Sequence, residues 1–344
     1  MLHSERLQTF VALGDFLRSA DAQPELAAIA QQAYYKNNWF TLENSLAALR
    51  ALADDFLTAD KLTAWASQYP TEPKQPRTVG VVMAGNIPAV GFHDLLCVLM
   101  SGHKLLAKLS SQDFVFIHYL IQKLKEVNPA IDSWLEEADR LNAADAYIAT
   151  GSNNTARYFE HYFGKKPSII RKNRTSVGLL MGEESEEEFQ KLGHDLSDYY
   201  GLGCRNVSTL LVPEGPNGEP YDFTPLLRTL EPEAKTFLNN HKYQNNYDYN
   251  KSIYLINAIP HFDNGYLLLT ENEGLVSPIS VVYYQTYQTQ DDAITWLDAN
   301  ADRIQVVASA QGWLSGSVPF GQTQHPSLND YADGVDTMAF LATL

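Results

Sequence analysis

Cysteine is nearly missing from this 344-residue chain, which carries only Cys97 and Cys204. Two dissimilar cysteines rule out a disulfide framework. With no cationic stretch followed by an apolar core in Met1-Leu2-His3-Ser4-Glu5-Arg6, they point to a reducing cytoplasm. Long apolar runs are missing as well: none nears the roughly 18 residues that span a bilayer, so no membrane insertion is expected. Positive charge is scarce, with 25 Lys and Arg against 41 Asp and Glu and a formal net charge of −16. Because nucleic-acid affinity depends on clustered Lys and Arg that release counterions, this balance argues against nucleic acid and anionic membrane surfaces as partners. The histidines form no pair at ligand spacing with a nearby carboxylate, so no metal site is expected.

What is present suits a soluble globular protein, with 45% hydrophobic residues, 19% charged residues and enough length for two packed cores. The two cysteines have different surroundings. Cys97 lies in the apolar run Leu95-Leu96-Cys97-Val98-Leu99-Met100 and reads as a small core hydrophobe. Cys204 lies in Gly201-Leu202-Gly203-Cys204-Arg205-Asn206, between a predicted helix and the predicted strand Val207 to Val212, where glycines permit close approach. That is a useful place for a nucleophile.

Residues 1 to about 68 read as helical, with Leu46, Leu49, Leu52 and Phe56 at helix-like spacing, before the prolines 70, 73 and 76 impose an extended linker. From Thr78 the pattern becomes α/β. Strand Val79 to Ala84 leads through Gly85-Asn86-Ile87-Pro88 to helix Ala89 to Met100. Strand Leu105 to Leu109 precedes helix Asp113 to about Val127, and a further helix after Asn128-Pro129 leads to strand Ala146 to Ala149, turn Thr150-Gly151-Ser152 and helix Asn154 to Phe163. This order implies parallel strands, right-handed crossovers and ligands at the strands' carboxyl ends. A second block opens at Ser176 to Met181. In the acidic run that follows, Ser185 and Glu188 form a capping pair, and Phe189, Leu192, Leu196, Tyr199 and Tyr200 form one apolar face ending at Gly201. Later strands are expected at Tyr266 to Leu269, Ile279 to Tyr284 and Gln305 to Ala308, with a helix from Thr289 and Asp292 through Leu297.

Four segments, in order, carry a resemblance: Ala84-Gly85-Asn86-Ile87-Pro88, Leu105 to Ser111, Ile148-Ala149-Thr150-Gly151-Ser152, and Gly201-Leu202-Gly203-Cys204. Over roughly residues 78 to 320 the chain resembles the aldehyde dehydrogenase superfamily and, within it, the LuxC-like acyl-CoA reductases. The resemblance implies an α/β fold of two parallel-sheet lobes, a Rossmann-like cofactor domain and a catalytic domain, with a helical N-terminal segment. The implied boundaries are 1–75 for the N-terminal helices packing on the cofactor domain, 76–175 for the NAD(P)-binding domain, 176–318 for the catalytic cysteine domain and 319–344 for a return segment.

Carried over, Cys204 is the nucleophile and Asn86 the amide that stabilises the oxyanion, a donor worth about 3 kcal/mol. By spacing alone, Asn86 serves equally to shape the turn before Pro88. Lys108 matches the lysine that binds the cofactor's adenosine ribose, although without its neighbours it reads as an ordinary exposed lysine. NAD-preferring relatives follow that lysine with a glutamate, and this chain has Ser110-Ser111. A carboxylate would repel a 2′-phosphate whereas hydroxyls can donate to it, so NADPH is favoured, with NADH the alternative. Thr150-Gly151-Ser152 matches the turn that approaches the cofactor, and Glu273, off by one in register, lies near the family's nicotinamide-ribose glutamate.

Where hydrolytic members place a water-activating glutamate, Ile169-Ile170-Arg171-Lys172-Asn173-Arg174 puts Arg171, which cannot act as a base at neutral pH. The basic cluster reads either as an attractor for coenzyme A phosphates or as solvated surface. His325 falls in a segment that returns near the active site, as an acid, a CoA contact or a turn residue. The implied function is NADPH-dependent reduction of an acyl-CoA, coenzyme A being part of the substrate, to an aldehyde through a cysteine acyl-enzyme. The rivals are a CoA-acylating aldehyde dehydrogenase, an acyl-phosphate reductase, a catalytically silent nucleotide-binding scaffold, and a cysteine thioesterase or acyltransferase, which leaves the Lys108 segment without purpose. Family members commonly associate, which makes a homodimer the expected assembly, although this chain is shorter than the hydrolytic relatives.

Overall fold

The computed structural model describes residues 1–151, 153–215 and 218–344. The chain forms two compact units, Met1–Asn173 with Pro326–Leu344, and Arg174–His325. Among the described residues no helix is long and apolar enough to cross a membrane.

In the first unit, helices α1 (His3–Arg18), α2 (Gln23–Lys36), α3 (Leu42–Ala51) and α4 (Ala59–Ala66) precede the sheet. Strands β1 (Thr78–Val82), β2 (Lys104–Lys108), β3 (Leu135–Glu137), β4 (Ala146–Thr150) and β5 (Ser168–Arg171) form it in the order β3-β2-β1-β4-β5, all parallel. Helices α5 (Phe92–Met100), α6 (Phe114–Val127) and α7 (Asn153–Phe163) are the crossovers. Alternation along the strands separates two faces. Val79, Val81, Leu105 and Leu135 join Phe10, Leu13, Leu49 and α5 and α6 in one core, so the N-terminal helices share the sheet's hydrophobic core. Leu106, Tyr147 and Phe163 pack on the other face. Cys97 is fully buried in the first core, and burial pushes its thiol well above the usual cysteine range.

Helix α5 starts three residues later than its apolar run suggests, because Ala89 takes a left-handed φ of +58°. The helix expected after Asn128-Pro129 is a short 3-10 helix over Pro129–Ser133, and the chain then adds β3 at the sheet's edge. The C-terminal residues close this unit. Leu328, Tyr331, Met338 and Leu341 enter its core, and Trp65 Nε1 donates to the Tyr331 hydroxyl at 2.8 Å.

The second unit holds β6 (Thr175–Leu179), β7 (Val207–Pro213), β8 (Phe262–Asp263), β9 (Leu268–Glu271), β10 (Val281–Tyr287), β11 (Ile304–Ser309) and β12 (Val318–Pro319). Their order is β12-β11-β6-β7-β10-β9-β8, parallel except for the β8–β9 pair. Its helices are α8 (Glu186–Ser197), α9 (Thr224–Leu230), α10 (Ala234–Leu238), α11 (His241–Ile256) and α12 (Gln290–Ala299). Capping boxes open α8 and α12 at the Ser185–Glu188 and Thr289–Asp292 pairs.

A buried ion pair locks the end of β5. Arg171 Nη1 and Nη2 donate to Asp94 Oδ2 and Oδ1 at 2.6 and 2.8 Å, and Nη2 also donates to Thr337 Oγ1 at 2.9 Å. With both residues buried, removing one partner strands a desolvated charge, at a cost of about 3–5 kcal/mol. Asp94→Ala should therefore lose that much unfolding free energy in a urea titration followed by tryptophan fluorescence. A loss under 1 kcal/mol would show that the pair is dispensable.

Candidate active site

Helix α8 delivers the chain to Cys204. Phe189, Leu192 and Leu196 form its buried face, but the helix ends at Ser197, and the expected continuation through Tyr199 and Tyr200 does not occur. Instead Tyr199, Tyr200 and Gly201 all take left-handed backbone, with φ of +52°, +61° and +73°. Each of the two tyrosines carries a steric cost of about 1–2 kcal/mol there. The Tyr200 ring offsets it by packing 5.7 Å from Phe237 and 5.8 Å from Tyr243, centroid to centroid.

The reversed chain then forms a tight turn. Gly203 N–H donates to Asn206 Oδ1 at 2.8 Å, Asn206 N–H donates to the Gly203 carbonyl at 3.1 Å, and Ser176 Oγ donates to the Cys204 carbonyl at 3.0 Å. Asn206 is 2% exposed, and its Nδ2 donates to the carbonyls of Asp195 and Asp198 at 3.1 and 2.9 Å. Cys204 is solvent-exposed within this turn, just before the amino end of β7. The cysteine is therefore reachable while the backbone beneath it is tied down.

The segment Phe320 to His325 returns to the same place. Asp195 is 1% exposed, and its carboxylate accepts from Gly321 N–H at 2.6 Å and from Thr323 N–H and Oγ1 at 3.0 and 2.8 Å. Burial outweighs these bonds and raises its pKa. Gly321 has φ of +80°, and a Cβ there would sit 3.2 Å from Lys191 Cβ, so this close approach to α8 suits glycine. Arg205 Nη1 donates to the Thr323 carbonyl at 3.4 Å, and the Gln324 amide packs against Gly203. His325 lines an open cleft of about 900 Å³ with Glu188, Lys191, Gln311 and Phe320, and Cys204 is not part of its lining.

In the other unit, the expected cofactor residues collect along one edge of the five-stranded sheet. Val82 pairs with Lys108 on one side and with Ala149 on the other, so the segments after β1, β2 and β4 share its carboxyl edge. The strand order reverses between β1 and β4, the kind of switch point where α/β sheets bind ligands. Asn86 follows β1, Lys108 is exposed at the end of β2, Ser110 is half-buried, Ser111 is exposed, Thr150 ends β4 and Gly151 follows it. Ser152 lies outside the described residues. A Cβ on Gly85 would come within 2.4 Å of Ser110 Oγ, which fixes how closely the Asn86 loop lies on the serine segment. Glu273 belongs to the second unit, exposed in the turn after β9.

Two readings of the sequence change. Arg171, 4% exposed and bound to Asp94 and Thr337, is not a coenzyme A contact, because its guanidinium is already desolvated and paired. Its neighbours differ: Lys172 is solvated surface, its Nζ 3.1 Å from the exposed Glu160, whereas the half-buried Arg174 donates through Nη1 to the Ile304 carbonyl at 3.1 Å. The roles of Asp195, Thr323 and Asp113 are not legible in sequence because their partners lie 24 to 128 residues away, and Asn206, present in the cysteine stretch, acts through backbone carbonyls and an N–H that no side-chain pattern marks. Asp113, 1% exposed, accepts from Ala89 N–H at 2.8 Å and so holds the loop that carries Asn86, while its Oδ1 has no partner among the described residues.

No family model matches this chain, and no curated protein matches it. Solved structures do. An NAD-dependent aldehyde dehydrogenase from Sinorhizobium meliloti superposes with a TM-score of 0.66 at 14% identity, over 94% of this chain and 72% of that one. An NADP-dependent enzyme from E. coli gives 0.67 at 11% identity, over 90% and 73%. A propionaldehyde dehydrogenase from the Clostridium phytofermentans fucose utilisation bacterial microcompartment gives 0.59 at 10% identity, over 90% and 78%. The fold is aldehyde dehydrogenase-like.

Burial pushes the Asp113 carboxyl well above the usual carboxylate range. A raised folded-state pKa gives stability that is complete below the unfolded value of about pH 4 and is lost as pH rises through the folded value. Asp113→Asn keeps an acceptor for Ala89 N–H and carries no charge. The variant should melt higher than wild type at pH 7.5 and gain much less at pH 4.5, as read by differential scanning fluorimetry. An equal shift at both pH values would contradict a buried titrating group.

Proposed function

We propose that this protein is an NADPH-dependent acyl-CoA reductase that forms an aldehyde through an acyl-enzyme on Cys204. The observation that carries the reading is an exposed cysteine on a clamped turn, within an aldehyde dehydrogenase-like fold. In this reading the Cys204 thiolate attacks the thioester carbonyl, the carbon–sulfur bond to coenzyme A breaks, and the coenzyme A thiolate leaves with a proton. The Asn86 side-chain amide and the Cys204 N–H donate to the oxyanion formed on attack, a contact made only as charge develops.

The donor set at the sheet's carboxyl edge fits a nicotinamide dinucleotide bearing a 2′-phosphate. Residues 108–111 present an exposed ammonium and two hydroxyls and no carboxylate. Lys108, Ser110 and Ser111 would hold the adenosine ribose and its phosphate, Thr150 and Gly151 the turn beside it, and Glu273 the nicotinamide ribose. When bound, NADPH supplies the hydride that reduces the acyl group carried by Cys204. The paired, buried Arg171 supports the choice of acyl transfer over hydrolysis, since a guanidinium committed to Asp94 activates no water.

Intact-protein mass spectrometry after mixing with octanoyl-CoA should show one acyl adduct, lost in Cys204→Ala, while that variant still binds NADPH by fluorescence titration. NADPH oxidation that survives in Cys204→Ala would overturn the assignment. Asn86→Ala should lower kcat at least ~100-fold, measured from NADPH absorbance, and a change under threefold would leave Asn86 with only its turn-shaping role.

A further inference from the structure

The carboxylate of Asp195 stands at a junction of three chain segments. Its side chain accepts three hydrogen bonds from Gly321 and Thr323, and its backbone carbonyl accepts one from Asn206. Asn206 in turn closes the Cys204 turn on itself through the Gly203 N–H, and Arg205, next to the cysteine, donates to Thr323. The carboxylate therefore holds the return segment directly, and that segment meets the Cys204 turn through Arg205 and the Gln324 amide beside Gly203, while the Asn206 clip rests on the Asp195 backbone. A hydroxyl–backbone contact could staple the return segment, yet the chain spends a buried carboxylate, whose desolvation is costly unless every acceptor is used. The geometry also fixes the need for an acceptor on both oxygens, because Oδ2 faces Gly321 N–H while Oδ1 faces the two Thr323 donors.

We propose that Asp195 is a positioning residue for Cys204: by holding the Phe320 to His325 segment, on which Arg205 and Gly203 of the cysteine turn rest, it aims the cysteine at its acyl substrate. The inference rests on the reading of Cys204 as the acyl-accepting nucleophile. A misplacement of about 1 Å at a reacting group costs on the order of 100-fold in rate, whereas a small alkylating reagent tolerates it.

The substitution Asp195→Asn keeps size and shape but sets an amide donor against either Gly321 N–H or the Thr323 donors. In the full-length variant, alkylation of Cys204 by iodoacetamide should stay within twofold of wild type. Acyl-enzyme formation from octanoyl-CoA, followed by quenched-flow mass spectrometry, should slow at least tenfold, with NADPH affinity unchanged. Hydrogen exchange should accelerate together in residues 202–206 and 320–325. Acylation within twofold of wild type would overturn the proposal, as would exchange that accelerates in only one of the two segments. If wild type itself forms no acyl adduct, the functional reading fails on its own, and the exchange measurement still decides whether Asp195 couples the two segments. Should Asp195→Asn not fold, Thr323→Val removes one of the three donors. It should give a smaller slowing, about threefold, and the same paired acceleration of exchange; neither effect appearing would overturn the proposal.

Discussion

A carboxylate buried in the second unit, satisfied by two backbone N–H groups and a hydroxyl, is the constraint that holds the returning segment against the Cys204 turn. Asp195 is desolvated, and the three donors it draws in come from a segment more than 120 residues further along the chain. An unpaired acceptor in that place would be costly, so the returning segment is held wherever the carboxylate is held. The same logic recurs in the first unit, where Asp113 fixes Ala89 and Asp94 binds Arg171. Both turns carrying the proposed chemistry are thus anchored by buried acids, with Cys204 exposed and Asn86 half-buried.

Backbone strain accompanies this arrangement. Two consecutive tyrosines in left-handed conformation turn the chain out of α8 and into the cysteine turn, and the Tyr200 ring packs on Phe237 and Tyr243. Strain of this kind persists where surrounding contacts over-determine it, and it gathers at functional sites. A straight continuation of the helix would carry Cys204 onto the helix surface. In the first unit the comparable device is Ala89, left-handed under the Asp113 hydrogen bond, which delays α5 and leaves Asn86 in a loop.

Local signals made much of the architecture legible from sequence. Strand–helix alternation after Thr78 marked the parallel sheet, Ser185 with Glu188 and Thr289 with Asp292 marked helix starts, and apolar surroundings separated Cys97 from Cys204. What stayed hidden was long-range or unpatterned. Arg171 read as part of a basic surface because Asp94, its partner, lies 77 residues away. Tyr199 and Tyr200 fit the apolar spacing of α8, and nothing local reveals that they break it. Helix α11 buries Tyr243, Tyr247, Asn250 and Tyr254 at helical spacing, but that face is tyrosine and asparagine rather than aliphatic, so no apolar stripe announced it. Of the proposed cofactor edge, the strand ends could be read, whereas the buried Asp113 that holds Ala89 could not.

The account's central claim is that hydride reaches an acyl carbon held on Cys204. NADPH carrying deuterium at the transferable position, supplied with octanoyl-CoA, tests this directly when the product is trapped and its mass spectrum read. The account predicts octanal with one deuterium at C1, formed in step with NADPH oxidation. Release of octanoic acid without deuterium, at unchanged NADPH, would contradict it.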